Sequence, residues 1–180
     1  MAAGRTLVVD TDVLRSSGDV GDPTSRPVLC ARFLQAVVEA NHKVAVTSAV
    51  FEEWNRHRSR FALRWLRVMF GKKRIKFVSA VPIDLEAHLL KVLRTDKKRD
   101  AVLKDRHLVE TALAADRRIA SLDESVRGLL RECAAAPEFR VLASLVWTNP
   151  AIVAESAVEW LRRGAPDEAF RHLPTVPASA

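Results

Sequence analysis

The sequence predicts a single α/β domain built on a mostly parallel central sheet, and three observations lead there. A branched apolar run, "TLVV" at residues 6–9, is followed by a helix-like segment and then by a second apolar run, "KVAV" from Lys43. Strand, helix, strand with long connections is the pattern of parallel pairing. A third apolar run at residues 118–122 ends on Asp123, just as the first ends on Asp10. Finally, 180 residues at 48% hydrophobic content are enough to fill one core and too few for two large domains.

Taken in order, residues 6–9 read as a buried strand, and "SSGDVGDPTSRP" as a loop rich in Gly, Pro, Ser and Asp beside the opening acids. "RPVLCARFLQAVVEANH" reads as a helix and "KVAVTS" as the second strand. From Ser48, "SAVFEEWNRHRSRFALRWLRVMF" places Val50, Trp54, Phe61, Trp65 and Val68 at helical spacing, with Gly71 as a stop. Those apolar residues are expected in the core. "RIKFVSAV" is a strand or extended connector, and "PIDLEAHLLKVLR" a helix with Pro82 in its first turn. A helix over residues 101–115 then feeds the strand at 118–122. "FRVLASLVWTNP" holds a last strand, and "AIVAESAVEWLRRG" a final amphipathic helix whose Ile152, Val153, Val158, Trp160 and Leu161 pack on the core or meet a partner. Residues 1–165 form the domain, and residues 166–180 are expected to be a frayed tail.

Cys30 and Cys133 stand far apart with no CxxC or Cys/His spacing, so neither a disulfide framework nor a zinc site is indicated. The sequence shows no signal peptide and no run of about 20 apolar residues, which predicts a soluble cytoplasmic protein. A net charge of +7 and a pI near 10.0 favour a polyanionic partner.

The carboxylates carry the chemistry. In a parallel sheet the carboxyl ends of the strands share one edge, and ligands bind in the crevice outside it. Asp10 and Asp123 each follow a strand, so both are expected at that edge. Glu53 and Asp105 lie early in their helices and can reach the same crevice. Four acids from four segments make an oxygen-lined site for a hard divalent cation, Mg²⁺ or Mn²⁺. Such a cation can acidify a water and neutralise charge on a phosphodiester. The acids then hold metal while the basic surface holds a phosphate chain. At each of these positions, capping of a turn or helix competes with the functional reading.

On the blocks "VVDTDVL", "VTSAVFEEW", "KDRHLVETAL" and "RIASLDE", in that order over residues 7–124, the chain resembles the PIN-domain nucleases. The resemblance implies a three-layer α/β/α sandwich and metal-dependent cleavage of RNA, often by the toxin of a bacterial toxin-antitoxin pair. It matches Asp10, Glu53, Asp105 and Asp123 to the catalytic, metal-holding positions, and it implies an antitoxin and a homodimer as partners. Asp12 departs from the pattern, since that position is commonly Asn or Ser. Glu52 beside Glu53 makes the frame ambiguous, because neighbouring helix residues point about 100° apart. The spacing after "VTS" favours Glu53. Thr11, Asp12, Ser48, Glu52 and Glu124 are candidate supports around the four acids.

For RNA, the candidates are Arg56, Arg60, Arg64 and Arg67, which recur every three or four residues as one stripe, then Lys72 and Lys73, and Lys97, Lys98 and Arg99 ahead of Asp105. His57 and His107 read as surface histidines without a task, and Glu110 as part of a solvated face. Two other functions compete. "DTDVL" also resembles the Asp-x-Asp opening of haloacid-dehalogenase-like phosphatases, with Asp10 as nucleophile and Asp12 as general acid. Against this, no later "GDxxxD" block is present. The third reading is a PIN-like module that binds RNA without cutting it.

Overall fold

The computed structural model describes residues 4–173. It opens with β1 (Thr6–Val9), whose residues are all buried, as a strand covered on both faces requires. There follow α1 (Thr11–Ser16), α2 (Arg26–Glu39), β2 (Lys43–Val46), α3 (Ser48–His57), α4 (Arg60–Gly71) and β3 (Ile75–Phe77). The second half contains α5 (Leu85–Val92), α6 (Asp96–Lys104), α7 (Arg106–Leu113), β4 (Arg118–Ala120), α8 (Glu124–Ala134), β5 (Val146–Thr148) and α9 (Ala157–Arg162).

Among the described residues, five strands form one sheet in the order β3-β2-β1-β4-β5, and every pair is parallel. Leu7 at the centre pairs with Val44 on one side and Arg118 on the other. The chain winds outward from β1 to β3, then returns to lay down β4 and β5 on the far side. The winding therefore reverses between β1 and β4, where open parallel sheets leave a crevice at their carboxyl ends. Helix α2 packs on α4 and α9, whereas α7 lies over β1, β2 and β4, and α8 packs on α5 and α6. The result is a three-layer α/β/α sandwich with a single buried apolar core. Among the described residues, no helix is long and apolar enough to cross a membrane.

Several elements differ from the sequence expectation. The segment after Ser48 is two helices, because Arg58 is extended and the Ser59 hydroxyl accepts the Ala62 N–H at 3.0 Å to start α4. Arg56 thus stands on α3, apart from Arg60, Arg64 and Arg67 on α4, and the single arginine stripe is broken. The helix expected at 101–115 is also two, α6 and α7, divided at Asp105. Pro82 precedes α5 instead of opening it. Helices α1 and α8 lie where no helix was assigned. Val68, expected in the core, is 44% exposed.

The expected tail is packed as far as it is described. His172 bridges Val146 at the edge of β5, and Arg171 and Leu173 are buried. Residues 174–180 lie outside the described residues. Both cysteines are buried free thiols, with burial pushing Cys30 up to about 12 and Cys133 up to about 11.

Candidate active site

A cleft of about 470 Å³ opens at the carboxyl edge of the sheet, next to the β1/β4 reversal. Asp10, Asp12, Glu53, Asp105 and Asp123 all line it, together with Thr11, Arg15, His57 and Lys104. The four acids matched by sequence thus come from four separate segments to one cavity. Glu52 does not line it, since it is exposed on α3 while Glu53 turns inward.

Asp10 follows β1 directly, and its backbone N–H bonds to the Ala120 carbonyl at 2.8 Å, tying the ends of β1 and β4 together. It occupies the N-cap position of α1 but makes no side-chain cap bond. Its Oδ2 instead accepts the Ser121 hydroxyl at 2.7 Å. Burial raises its pKa, the Ser121 bond opposes the rise, and the Glu53 charge adds to it. Asp12 extends back to accept the Leu122 N–H at 2.9 Å. Burial, and then repulsion from Asp10, push Asp12 up to about 7. Its other oxygen, Oδ1, is buried with no hydrogen-bond partner, as is Thr11 Oγ1.

Asp105 stands at the junction of α6 and α7, likewise without a side-chain cap bond. Burial and the charges of Asp10 and Asp123 raise it to about 6, although His107 and Lys104 pull it down. Asp123 differs: its Oδ1 accepts the Val126 N–H at 2.9 Å and caps α8. Its carboxylate therefore serves helix and cleft together. Glu53 is placed by its neighbour, since the buried Trp54 indole donates to the Val9 carbonyl at 3.0 Å and pins α3 to the end of β1.

His107 Nδ1 lies 3.0 Å from the Lys104 carbonyl, which only accepts, so this nitrogen carries the proton. Its Nε2 stands 3.2 Å from Glu53 Oε2, within ion-pair range but without the alignment of a hydrogen bond. His107 thus links α7 to Glu53 and is no idle surface histidine. Glu110 is not on a solvated face: it accepts the Ile83 N–H at 3.2 Å and pairs with Arg106 at 3.4 Å. Ser48 is exposed and does not line the cleft. Ser121 was not anticipated, although a hydroxyl two residues before Asp123, at the end of an apolar strand, is a readable signal. Glu124 borders a neighbouring hollow with Asp12 and Arg15, where it accepts Asn149 Nδ2 at 3.1 Å.

Of the basic candidates, none lines the cleft. Arg64 pairs with Asp19 at 2.7 Å, Lys98 with Glu132 at 3.5 Å, and Arg99 with Asp96. Lys72 and Lys73 stand before the first residue of β3, at the amino end of the strand. Lys97 shares a face of α6 with Ala101 and Lys104, which do line the cleft. The cations actually at the cleft, Arg15 and Lys104, were not selected from the sequence.

Oxygen donors, unpartnered buried oxygens and carboxylates raised by burial and mutual repulsion fit a hard divalent cation in donor chemistry. Among the described residues, however, no three His, Cys, Asp or Glu side chains are drawn up around one point as an ion would draw them. Fold and cleft together define a class: a doubly wound α/β/α protein with an acid-lined crevice at its switch point. Compared with models of known protein families the chain matches none, and no curated protein matches it significantly.

Proposed function

We propose that this chain is a PIN-like, Mg²⁺- or Mn²⁺-dependent endoribonuclease. The observation that supports it best is the convergence of Asp10, Glu53, Asp105 and Asp123, from four segments, on one cleft at the reversal of the sheet. These four residues would hold the cation, with Asp12 and Thr11 offering further oxygens. When bound, the cation supplies charge neutralisation at a phosphodiester and acidifies a water. Ser121 fixes the orientation of Asp10 and keeps it closer to its ionised form. Trp54 pins α3, and Glu53 with it, to the end of β1, and His107 stands beside the Glu53 carboxylate. Arg15 and Lys104 at the rim meet the phosphates of a strand entering the cleft. The family reading also brings an inhibitory antitoxin and a homodimer, both proposals of the same standing.

The test is incubation of labelled single-stranded and transfer RNAs with the protein in Mg²⁺, Mn²⁺ or EDTA. Cleavage that needs the metal and falls at least about 100-fold in Asp10→Asn, with RNA affinity kept, is the expected result. Cleavage unchanged in Asp10→Asn would remove the assignment. One observation favours a second reading, a phosphatase using Asp10 as nucleophile: Asp12 lines the same cleft with its Oδ1 unpartnered, and burial raises it toward the range of a general acid. Hydrolysis of a generic phosphomonoester, with no cleavage of RNA, would select it. RNA binding without turnover in any metal would select the non-catalytic module.

A further inference from the structure

Residues 55–83 carry nine Arg and Lys residues and no carboxylate. Among the described residues, Arg60, Arg67, Lys72, Lys73 and Lys76 have no carboxylate partner, although Arg64 has one. Within this segment two aromatic rings stand in solvent, Phe70 at 45% and Phe77 at 58% exposure. Both meet Phe51 edge-on, with ring centroids 5.8 and 5.3 Å away. Phe51 supports them from α3, so the rings are held as a fixed platform. Arg67 lies one turn before Phe70 on α4, and Lys72 and Lys73 follow that ring directly.

Phe51 and Glu53 are two residues apart on α3, so they point about 200° from each other around the helix. One side of α3 therefore faces the acidic cleft and the other supports the phenylalanine platform at β3. A helix is about 10–12 Å across with its side chains, which separates the two places by a few nucleotides of extended strand. Exposed aromatic faces beside unpaired cations are the elements by which proteins hold single-stranded nucleic acid without reading its sequence. The alternative use of an edge strand, pairing with a peptide, is disfavoured because β3 has only three residues and carries Lys76 at its centre.

We infer that single-stranded RNA leaving the cleft crosses α3 and stacks its bases on Phe70 and Phe77, with its phosphates on Arg67, Lys72 and Lys73. The inference rests on the reading that the cleft takes RNA, and it assigns the strand a second contact outside the acid-lined cleft. It also gives Lys72 and Lys73 a role that their distance from the cleft does not otherwise provide.

The experiment uses the full chain and a labelled single-stranded RNA of mixed sequence, followed by fluorescence anisotropy in EDTA and by photo-crosslinking with mapped adducts. Phe77→Ala and Phe70→Ala, whose rings are largely exposed, should each weaken binding about 5- to 100-fold, and Phe77→Trp should restore it. Phe170→Ala, an exposed ring elsewhere, should bind as the parent does. Lys72→Glu with Lys73→Glu should flatten the dependence of affinity on salt. Unchanged binding in both phenylalanine variants, with crosslinks elsewhere, overturns the path even where metal-dependent cleavage is found. Crosslinks at Phe77 without cleavage in any metal keep the path and remove the nuclease reading. Capture of an acidic peptide at this edge, with no RNA bound, overturns both.

Discussion

Three of the cleft carboxylates are raised by their surroundings, each to its own degree. Asp10 and Asp105 both occupy N-cap positions without making the cap bond, and both are raised by burial and by neighbouring acids. Asp12, raised to about 7, is the extreme case. A carboxyl raised in the folded state binds protons that the unfolded chain has released. In the metal-free protein the contribution of these groups to stability should therefore be fullest below about pH 4, where both states are protonated, and be lost as pH rises toward 7. Acid unfolding from other groups is separate, so the signature is a difference: Asp12→Asn should raise Tm at pH 8 by about 2–6 °C and much less at pH 5. A thermal melt at the two pH values checks it. Mg²⁺ should raise Tm of the parent at pH 8 and do so less at pH 5, where Asp12, raised to about 7, and Asp105, raised to about 6, are protonated. Ser121→Ala removes the bond that opposes the rise of Asp10, so its cleavage profile should shift toward higher pH.

At the level of elements, α8 separates structure from chemistry at Asp123. Asp123→Asn keeps an oxygen for the Val126 N–H and loses the charge, so folding should survive and cleavage should fall. Asp123→Ala loses the cap too, at a cost of about 0.5–2 kcal/mol measurable by urea unfolding. Strands β1, β2 and β4 were legible because apolar runs ending in Asp or a helix start have few other readings in an α/β chain. The breaks at Ser59 and Asp105 were not, since no Gly or Pro marks them and the apolar spacing continues across both. Ser59 offered one signal, a hydroxyl three residues before Ala62. Helix α8 was readable in principle from Val126, Leu130 and Cys133 behind the Asp123 cap. The six-residue α1 was hidden between acids and a Gly- and Pro-rich loop, and it is this turn that sends Asp12 back to Leu122. Trp54 was legible as core, whereas its bond to the Val9 carbonyl needed the fold. Trp54→Phe keeps the bulk and removes that bond, so it should lower cleavage more than its modest effect on Tm suggests.

Across the whole molecule, the charges divide into buried networks and an open basic surface. Arg171, 1% exposed, pairs with Glu155 at 2.9 Å and Glu168 at 2.7 Å, and lies over the Trp160 ring. Arg127 joins the same Glu155 from α8. This network fastens the segment after α9 to the end of β5, which is why residues 166–173 of the expected tail are structure. Arg171→Ala leaves Glu155 to Arg127 and Glu168 to Arg163 but removes the buried side chain that joins them, so it should cost about 2–3 kcal/mol in denaturant unfolding. Net charge predicted a polyanion partner from composition, yet only the fold sorts arginines tied into pairs from those left free.

If the carboxylates around Asp10 hold a divalent cation, Mn²⁺ binds there and its binding depends on Asp10. Titration of Mn²⁺ into the parent and Asp10→Asn proteins, followed by electron paramagnetic resonance at pH 8, tests it most directly. Saturable binding in the parent that is lost or weakened by about 10-fold or more in the variant is the predicted result. Equal binding in the two proteins, or none in the parent at millimolar metal, would contradict it.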